Sequence, residues 1–264
     1  MPVLDREGYS IFWRVDGDET RTRLILLNSL GTDQSSWDSV MPHLLNQFCV
    51  MRMDKSGHGG STPRQGRHTI AQFGDDVLAV MDAAGWKSAN LCGVSIGGMA
   101  GIYLGRTAPH RFDKLILSNT SAFIAPKVLR ERIDKIRSDG LSSVTDQVLA
   151  RFFSQQFIQK ANPDYHSFVR VFQQTDTDSY VGWSEAICDM DFREYLKEIS
   201  NPVLVITGKH DEATTPEMGR DIVAGIPGAQ HVELLSSHLP FAEYPKDYAE
   251  VITRFALNDR EKQK

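Results

Sequence analysis

A glycine-rich turn between two apolar segments constrains the fold of this chain more than any other feature. The turn, Gly93-Val94-Ser95-Ile96-Gly97 with Gly98 after it, follows the apolar run from Ala89 and precedes a helical run from Met99. Glycines two residues before and after a serine are typical of a strand, tight turn and helix packed too closely for neighbouring side chains. Such a nucleophile elbow exposes its serine at the tip. Ser95 is therefore the candidate nucleophile, although a glycine-rich turn can also carry a serine by chance.

The charge balance and the amino terminus exclude several classes of function. The 264 residues include 29 Lys and Arg against 34 Asp and Glu, a formal net charge of -5. An acidic chain without a basic run has no general attraction to nucleic acid or to an anionic membrane surface, so neither is expected as a partner. Charges at residues 5–7 stand where a signal peptide needs its apolar core, and no apolar run reaches transmembrane length. A cytoplasmic location is expected.

The cysteines indicate a reduced protein without a metal centre. The three of them, Cys49, Cys92 and Cys188, lie far apart, and no C-x-x-C pair suggests a zinc or redox site. Two stand in apolar runs, where a thiol behaves as a small hydrophobic side chain. We expect all three to be buried and reduced.

Apolar runs typical of buried strands alternate with helical patterns along most of the chain. Runs that are apolar on both faces indicate a sheet covered on both sides by helices, and the alternation predicts an α/β protein with a doubly wound, mostly parallel sheet. A further strand pattern at Ser10 to Val15, with turn residues after it, predicts an amino-terminal hairpin with the next strand. The predicted strands are Leu24 to Leu27, Phe48 to Met53, Ala89 to Val94, Lys114 to Ser118, Pro202 to Thr207 and a short final strand, His231 to Leu235.

The buried-strand pattern disappears between residues 121 and 196. An all-helical packing layer is one interpretation of this block. We favour an inserted helical cap (lid) over the carboxyl ends of the strands, where ligands bind in open α/β sheets, because the block interrupts a regular alternation. The predicted organisation is a core domain of residues 1–120 and 197–264 and a cap of residues 121–196. Its helical runs are Val128 to Ile136, Val144 to Phe157, Tyr165 to Phe172 and Tyr180 to Ile187.

Two later strand ends offer the groups that a nucleophilic serine needs. A serine hydroxyl requires a base within hydrogen-bond reach and a third group that orients the base. Asp211 follows the run from Pro202, and His238 follows the run from His231. These two residues are the candidate acid and base for Ser95.

Other acids and histidines fit these roles less well. Asp189 and Asp191 fall in the helical block, where helix capping or solvation is expected of them. Asp54 follows a strand too early in the chain. His58 is the strongest rival among the eight histidines because Gly57 and Gly59 flank it, but it precedes Ser95 and is expected to hold its own loop together.

Acyl transfer also needs two donors for the developing oxyanion. The backbone N–H of Ile96 follows the nucleophile at a helix N-terminus, whose dipole favours negative charge. The second donor is expected from the loop after Leu27. The N–H of Leu30 is the candidate, because Gly31 beside it permits a close backbone approach.

With these residues placed, the chain resembles the α/β-hydrolases over nearly its whole length, since serine, acid and histidine follow in that order. Within that superfamily it resembles the 3-oxoadipate enol-lactonases of aromatic degradation (the beta-ketoadipate pathway). Asn28-Ser29 stands where most relatives begin this loop with His-Gly, and the enol-lactonases share Asn-Ser. The other matching motifs are Leu30-Gly31-Thr32-Asp33 with Trp37, Cys92 to Met99, and Thr207-Gly208-Lys209-His210-Asp211 with Thr215-Pro216.

The resemblance implies hydrolysis of a small carboxylated enol-lactone to an oxo-acid without a metal or cofactor. In that mechanism Ser95 attacks the lactone carbonyl, His238 takes its proton and then activates water, and Asp211 holds the imidazole. The partner is a small-molecule lactone or ester, and a homo-oligomer is compatible with the sequence.

Departures from the family pattern concern substrate choice. Ser56 stands where the family usually has arginine, and Leu129 takes the place of the family's tryptophan in the first cap helix. Arg132, three residues later, matches the family and is the candidate for holding a substrate carboxylate, because a guanidinium accommodates it in two hydrogen bonds. Trp183 is a further candidate for lining the pocket, with packing as its alternative role.

Other functions remain open on the same fold. Leu129 is compatible with a carboxylesterase or with a hydrolase that cleaves a carbon-carbon bond. A non-catalytic ligand-binding receptor is the alternative from another class, although no feature of the sequence favours it.

Overall fold

One mixed sheet forms the centre of the protein. The computed structural model describes residues 2–159 and 163–258. The ends of the predicted core segments at residues 1 and 259–264, and cap residues 160–162, lie outside this part. The strands are β1 (Val3–Arg6), β2 (Tyr9–Asp16), β3 (Thr22–Leu27), β4 (Phe48–Met53), β5 (Ala89–Val94), β6 (Phe112–Ser118), β7 (Val203–Gly208) and β8 (Gln230–Leu234).

The order of the strands confirms the predicted doubly wound architecture. Within the described residues the eight strands run in the order β1-β2-β4-β3-β5-β6-β7-β8. From β4 to β8 all neighbours are parallel, whereas β1 and β2 are antiparallel. Every residue of β4, β5 and β7 is buried, as expected for strands covered on both faces. The carboxyl ends of β3, β5, β6, β7 and β8 therefore meet at one edge of the sheet.

The amino-terminal hairpin differs from the predicted one. β2 pairs with β4, with Trp13 opposite Met53, and not with β3. The hairpin that forms joins β1 to β2, and Gly8 takes a positive φ of 80° in its turn. A turn pattern marks where the chain reverses but carries no information on which strand becomes the neighbour. The prediction of a β2–β3 hairpin was wrong for that reason.

Helices cover the sheet and fill the interval between β6 and β7. α3 packs against β5 and β6, and α9 packs against β7. α4 to α8 follow β6 and precede β7, in the block where a cap was predicted. The helices are α1 (Met41–Leu44), α2 (Ile70–Ala83), α3 (Ile96–Thr107), α4 (Pro126–Asp139), α5 (Thr145–Phe152), α6 (Gln155–Gln159), α7 (Pro163–Gln174), α8 (Thr177–Asp189), α9 (Pro216–Gly225), α10 (Pro240–Glu243) and α11 (Pro245–Leu257).

The helix predicted from Val144 to Phe157 is broken in two. Phe153 is extended, with φ of -131° and ψ of 150°, and separates α5 from α6. The N–H of Ser154 donates to the carboxylate of Glu243 at 2.8 Å, and its hydroxyl accepts from the N–H of Phe157 at 3.3 Å. A serine that caps a new helix competes with continuation of the old one. The end of α5 lies beside the loop after β8, since the N–H of Leu239 donates to the carbonyl oxygen of Phe152 at 3.2 Å.

The three cysteines were expected to be buried and reduced. Cys49 and Cys92 are buried and free, while Cys188 is free but only half-buried, contrary to the prediction for it. Burial raises the pKa of Cys92 to about 12, so this thiol is protonated at neutral pH.

Within residues 2–159 and 163–258, no helix has the length and apolar character needed to cross a membrane.

Candidate active site

Ser95 occupies a strained turn between β5 and α3. Its φ of 58° and ψ of -121° lie outside the usual regions for a residue with a side chain. A Cβ atom on Gly93 would lie 2.2 Å from the carbonyl oxygen of Gly97, and one on Gly97 would lie 2.5 Å from that of Leu27. These backbone atoms have no freedom to yield. The glycines on both sides of Ser95 are therefore a steric requirement of the predicted elbow.

Asp211 and His238 form a buried pair next to this turn. Asp211 follows β7, His238 lies between β8 and α10, and His238 Nδ1 is 2.9 Å from Asp211 Oδ2. The same oxygen accepts from Asn119 Nδ2 and from Thr214 Oγ1, each at 2.9 Å. The other carboxylate oxygen accepts from the backbone N–H groups of Ala213 and Thr214 at 2.8 and 3.0 Å. The carboxylate is thus fully surrounded by donors.

The protonation of this pair follows from its contacts. Burial by itself raises the pKa of Asp211, but the charge and hydrogen bond of His238 and the bonds from Asn119 and Thr214 outweigh it, so this pKa lies below its usual value. An ionised Asp211 requires a proton on Nδ1 of His238. Nε2 of the neutral imidazole is then free to accept a proton. Ser29 Oγ lies 3.4 Å from this Nε2.

A cavity of about 70 Å³ brings together side chains from both parts of the chain. From the core, Ser95, His238 and Leu30 line it. From the helical block, Leu129 and Arg132 line it, while their contact with a substrate stays a prediction. The lining also includes residues that were not among the candidates for the site: Ser29, Met99, Ile124, Arg151, Phe152, Tyr180, Ile187, Ala213 and Thr214.

Trp183 does not line this cavity, which corrects its suggested role in the pocket. The side chain is 1% exposed, and its indole N–H donates to the carbonyl oxygen of Ser56 at 3.0 Å. Its ring packs against His68 and Phe73, with centroid distances of 4.7 and 5.7 Å. Trp183 joins α8 to the loop after β4. Ser56, at the family's arginine position, is fully buried beneath it.

Two backbone N–H groups at the cavity have no protein acceptor within the described part of the chain. Leu30 N–H belongs to the loop after β3, and Ile96 N–H is the first of α3. The first N–H groups of a helix have no partner inside that helix, and the helix dipole makes this end partially positive. Both residues are next to groups that line the cavity, namely Ser29 and Ser95. Their role as donors to an oxyanion stays a prediction.

The loop after β4 supports the loop that carries Leu30. His58 Nε2 accepts from the N–H of Gly31 at 3.1 Å, and Asp54 Oδ1 accepts from the N–H of Gln34 at 2.7 Å. Burial, followed by the charge of Lys55, lowers the pKa of His58 well below its usual value, so this ring is neutral. Burial raises the pKa of Asp54 to about 6. His58 Nδ1 also lies 3.2 Å from the carbonyl oxygen of Ser56, so the ring holds its own loop, as expected, and in addition connects it to the loop of Gly31.

Lys55 is the supporting residue that sequence reasoning missed. It is 1% exposed, and its ammonium group donates to the carbonyl oxygens of Ser29 and Thr32 at 2.7 and 3.3 Å. A buried lysine is rare because desolvation of its charge is costly. Its position two residues after a buried strand was the available signal.

Two arginines give the cavity a positive wall. Arg132 lies on α4 and donates to the Tyr180 hydroxyl at 3.5 Å, while Arg151 lies on α5 before Phe152, whose ring centroid is 5.1 Å from that of His238. Within residues 2–159 and 163–258, neither guanidinium pairs with a carboxylate. Unpaired guanidinium groups at an otherwise mostly apolar cavity favour an anionic ligand.

The rival acids have other partners. Asp189 pairs with Arg67 and Asp191 with Arg193, in surface ion pairs with distances of 2.8 and 2.6 Å. Neither acid lines the cavity that holds Ser95.

Known proteins share both the sequence pattern and the fold. Residues 22–245 match the alpha/beta hydrolase fold family. 3-Oxoadipate enol-lactonase 2 of Acinetobacter baylyi is 31% identical over 94% of this chain and 96% of its own length. The crystal structure of the enol-lactonase from Burkholderia xenovorans LB400 superposes with a TM-score of 0.93 and 35% identity, covering 96% of this chain and 99% of that one. A hydrolase from Pseudomonas aeruginosa PA01 also has a TM-score of 0.93, at 33% identity over 97% and 98% of the two chains. The chain therefore belongs to the alpha/beta hydrolase fold family and is a hydrolase of ester bonds.

Proposed function

We propose that this protein opens a small carboxylated lactone, 3-oxoadipate enol-lactone, to 3-oxoadipate through a Ser95-His238-Asp211 triad and an acyl-enzyme. One observation carries the proposal: a single cavity has Ser95 and His238 on its core side and the unpaired guanidinium groups of Arg132 and Arg151 on its helical side. Nucleophilic chemistry and recognition of a carboxylate are thus combined in one small space. The names of the similar proteins, 3-oxoadipate enol-lactonases, support the same substrate.

The chemistry follows from the protonation of the pair. Nε2 of His238 takes the proton of Ser95 as the hydroxyl oxygen attacks the lactone carbonyl. The tetrahedral oxyanion accepts hydrogen bonds from the N–H groups of Leu30 and Ile96. When the ring C–O bond breaks, the imidazolium returns its proton to the enol oxygen, and the enol isomerises to the ketone. Because the ester is cyclic, this leaving group stays attached to the acyl-enzyme.

Water completes the reaction. Nε2 of His238 takes a proton from a water molecule, which attacks the acyl carbon, and Ser95 leaves with that proton. The product carries two carboxylates, one more than the lactone. Asp211 keeps the imidazole in the tautomer that accepts at Nε2 throughout.

Substrate selection is assigned to the helical wall. Arg132 and Arg151 of the helical block hold the carboxylate. Leu129 and Ile187 of the same block, with Met99 of α3, contact the apolar part of the ring. A charge-assisted hydrogen bond contributes about 1.5–3 kcal/mol, roughly 10- to 150-fold in binding. A neutral ester gains nothing from these two arginines.

A panel of substrates with matched variants tests the proposal. Wild type, Ser95→Ala, Arg132→Gln and Arg130→Gln are assayed on the carboxylated enol-lactone, a saturated lactone and a simple neutral ester. Arg130 is the matched control because it is exposed on the same helix, two residues away from Arg132. We expect Arg132→Gln to raise KM for the enol-lactone at least about tenfold without changing KM for the neutral ester. Arg130→Gln should behave as wild type.

Other outcomes of the panel identify the alternatives. Turnover of neutral esters in preference to the enol-lactone favours a carboxylesterase. Turnover of a 1,3-diketone assayed beside the panel, without turnover of lactones or esters, favours a hydrolase that cleaves a carbon-carbon bond. Retained hydrolysis in Ser95→Ala excludes Ser95 as the nucleophile. Binding of lactones and esters without turnover in the wild type favours a receptor.

We also propose that the protein works in the cytoplasm, on a small molecule rather than on a macromolecule. The free thiols of Cys49 and Cys92 support a reducing compartment. A role in aromatic degradation rests on the substrate proposed above.

A further inference from the structure

The carbonyl group of Ser29 is held by more donors than any turn requires. Lys55 Nζ donates to its oxygen at 2.7 Å, Thr32 Oγ1 at 3.0 Å, and Thr32 N–H at 3.4 Å. The Ser29 side chain, on the other side of the residue, is 3.4 Å from Nε2 of His238. The peptide unit between Ser29 and Leu30 thus lies between the buried lysine and the cavity.

The geometry of a trans peptide links the lysine to the candidate oxyanion donor. The described residues contain no cis peptide bond. In a trans peptide the C=O of Ser29 and the N–H of Leu30 point in opposite directions. A carbonyl oxygen that points at Lys55 therefore turns the Leu30 N–H away from the lysine, and this N–H has no acceptor within the described part of the chain.

We propose that Lys55 is a positioning residue for the oxyanion site, which orients the Ser29–Leu30 peptide and polarises it so that the Leu30 N–H becomes a stronger donor. This inference rests on the proposed function. An ammonium group on the carbonyl oxygen draws electron density from the amide nitrogen, and hydrogen bonds in a chain strengthen one another in this way. The gain appears when negative charge develops on the substrate, because that is when the Leu30 N–H is used.

A purely structural role accounts poorly for a charged side chain at this place. Lys55 makes no ion pair within 4 Å in the described chain, and its acceptors are neutral carbonyl groups. Burial of a cation without a paired carboxylate costs folding free energy that an apolar side chain of the same length avoids. A cost to stability at a catalytic loop is understandable when the charge serves the reaction.

The charged groups around Lys55 determine when it carries its proton. Burial lowers the pKa of Lys55 to about 7, and the nearby carboxylates of Asp54 and Asp33 oppose this effect. His58 lies in the same loop as Lys55, whose charge helps to lower the pKa of His58, and its ring is neutral. Lys55 therefore loses its proton as the pH rises through about 7.

The test compares Lys55→Met with Thr32→Val. Lys55→Met retains the length of the side chain and removes the charge, whereas Thr32→Val removes a neutral donor from the same carbonyl oxygen. We expect Lys55→Met to lower kcat at least about tenfold with KM within twofold of wild type, and Thr32→Val to lower kcat less than threefold. Affinity for an alkylboronic acid, whose serine adduct carries the negative tetrahedral oxygen, should fall in Lys55→Met by the same factor as kcat.

Two results overturn the proposal. One is a folded Lys55→Met with wild-type kcat and wild-type affinity for the boronic acid; the other is an equal loss in both variants, which indicates simple loop support. Ser95→Ala in the same assay distinguishes these results from failure of the proposed function. Retained turnover in Ser95→Ala shows that Ser95 is not the nucleophile, whereas lost turnover keeps the proposed function and leaves only the role of Lys55 in error.

A measurement on the wild type serves if Lys55→Met does not fold. Loss of the Lys55 proton should lower kcat for an ester as the pH rises from 7 to 9, with KM unchanged, and Thr32→Val should show the same decrease. A kcat that stays constant across this interval contradicts the role of the charge.

Discussion

His238 Nδ1 lies 2.9 Å from Asp211 Oδ2, in a pair whose side chains are 1% and 0% exposed. The carboxylate receives five hydrogen bonds in all, from His238, Asn119, Ala213 and twice from Thr214. Such a carboxylate has no freedom to rotate or to release the imidazole. The orientation of His238 towards the cavity is thus built into the loops after β6, β7 and β8.

Asp211→Asn is expected to abolish most of the activity while leaving the fold intact. The asparagine NH₂ group would donate to Nδ1 of His238, which leaves the ring proton on Nε2, where it cannot accept from Ser95. A change of tautomer of this kind lowers kcat by roughly 10³- to 10⁴-fold. Asp189→Asn, which alters only a surface pair with Arg67, is the control and should retain wild-type kcat. A kcat within tenfold of wild type in Asp211→Asn would argue against the triad.

Asn119→Asp tests the electrostatics of the same pair. Asn119 Nδ2 donates to Asp211 at 2.9 Å, and its φ of 44° is one that aspartate also tolerates. A second carboxylate in place of a donor that now lowers the pKa of Asp211 raises that pKa, so the acid limb of kcat/KM should move up in pH. Asn119→Ala removes the donor without adding charge and should move the limb less. Equal limbs in the two variants would contradict this electrostatic explanation.

The parts of the site that could be predicted are those encoded in continuous segments. The elbow around Ser95 and the strand ends before Asp211 and His238 each depend on a few adjacent residues. Parallel strands bring their carboxyl ends to one edge regardless of what the rest of the chain does. Thr214 was also within reach, because an aspartate that accepts from N–H groups two and three residues ahead is a known turn pattern.

Most residues that the helical block contributes to the cavity could not be predicted in the same way, and Leu129 and Arg132 were named only through the family resemblance. Arg151 lines the cavity because the chain breaks at Phe153, where Ser154 bonds to Glu243, nearly 90 positions later in the chain. Trp183 packs on Ser56 because α8 lies against the loop after β4. Such placements depend on how helices dock, which amphipathic patterns leave undetermined. Lys55 was missed because a single charged residue beside a strand is most often solvated.

Gly97→Ala is expected to destabilise the protein, and Gly101→Ala is its matched control on α3. A Cβ atom at Gly97 would meet the carbonyl oxygen of Leu27 at 2.5 Å, a backbone atom, whereas one at Gly101 would meet the flexible ends of Leu117 and Leu91 at 2.9 and 3.1 Å. Overpacking of this kind costs about 1–3 kcal/mol, and alanine gains about 1 kcal/mol over glycine in a helix. Urea denaturation should show a loss of about 2 kcal/mol for Gly97→Ala and a change within about 1 kcal/mol for Gly101→Ala. Equal effects would contradict the close contact of α3 with β3.

The unusual burial of Lys55 makes a further prediction for the dependence of stability on pH. Burial lowers the pKa of Lys55 from 10.5 to about 7 in the folded protein, so between these values the unfolded chain binds more protons than the folded one. The free energy of unfolding must therefore rise with pH across this interval. Lys55→Met lacks this dependence. Asp54 changes the difference between the two proteins in the same direction. Without the charge of Lys55 the pKa of Asp54 rises above its value of about 6. The variant therefore loses stability as the pH rises just above 6, because its folded form holds this proton more tightly than its unfolded form.

The stability of wild type relative to Lys55→Met should thus increase from pH 7 to pH 10 by a few kcal/mol, since each unit of pKa difference corresponds to about 1.4 kcal/mol. Urea denaturation of both variants at half-unit intervals measures this difference, and ionisations common to both, such as those of tyrosines, cancel. Lys87→Met is the control, because this lysine is exposed, and its difference from wild type should be constant. A constant difference for Lys55→Met as well would show that the ammonium group keeps its ordinary pKa and that its burial carries no electrostatic cost.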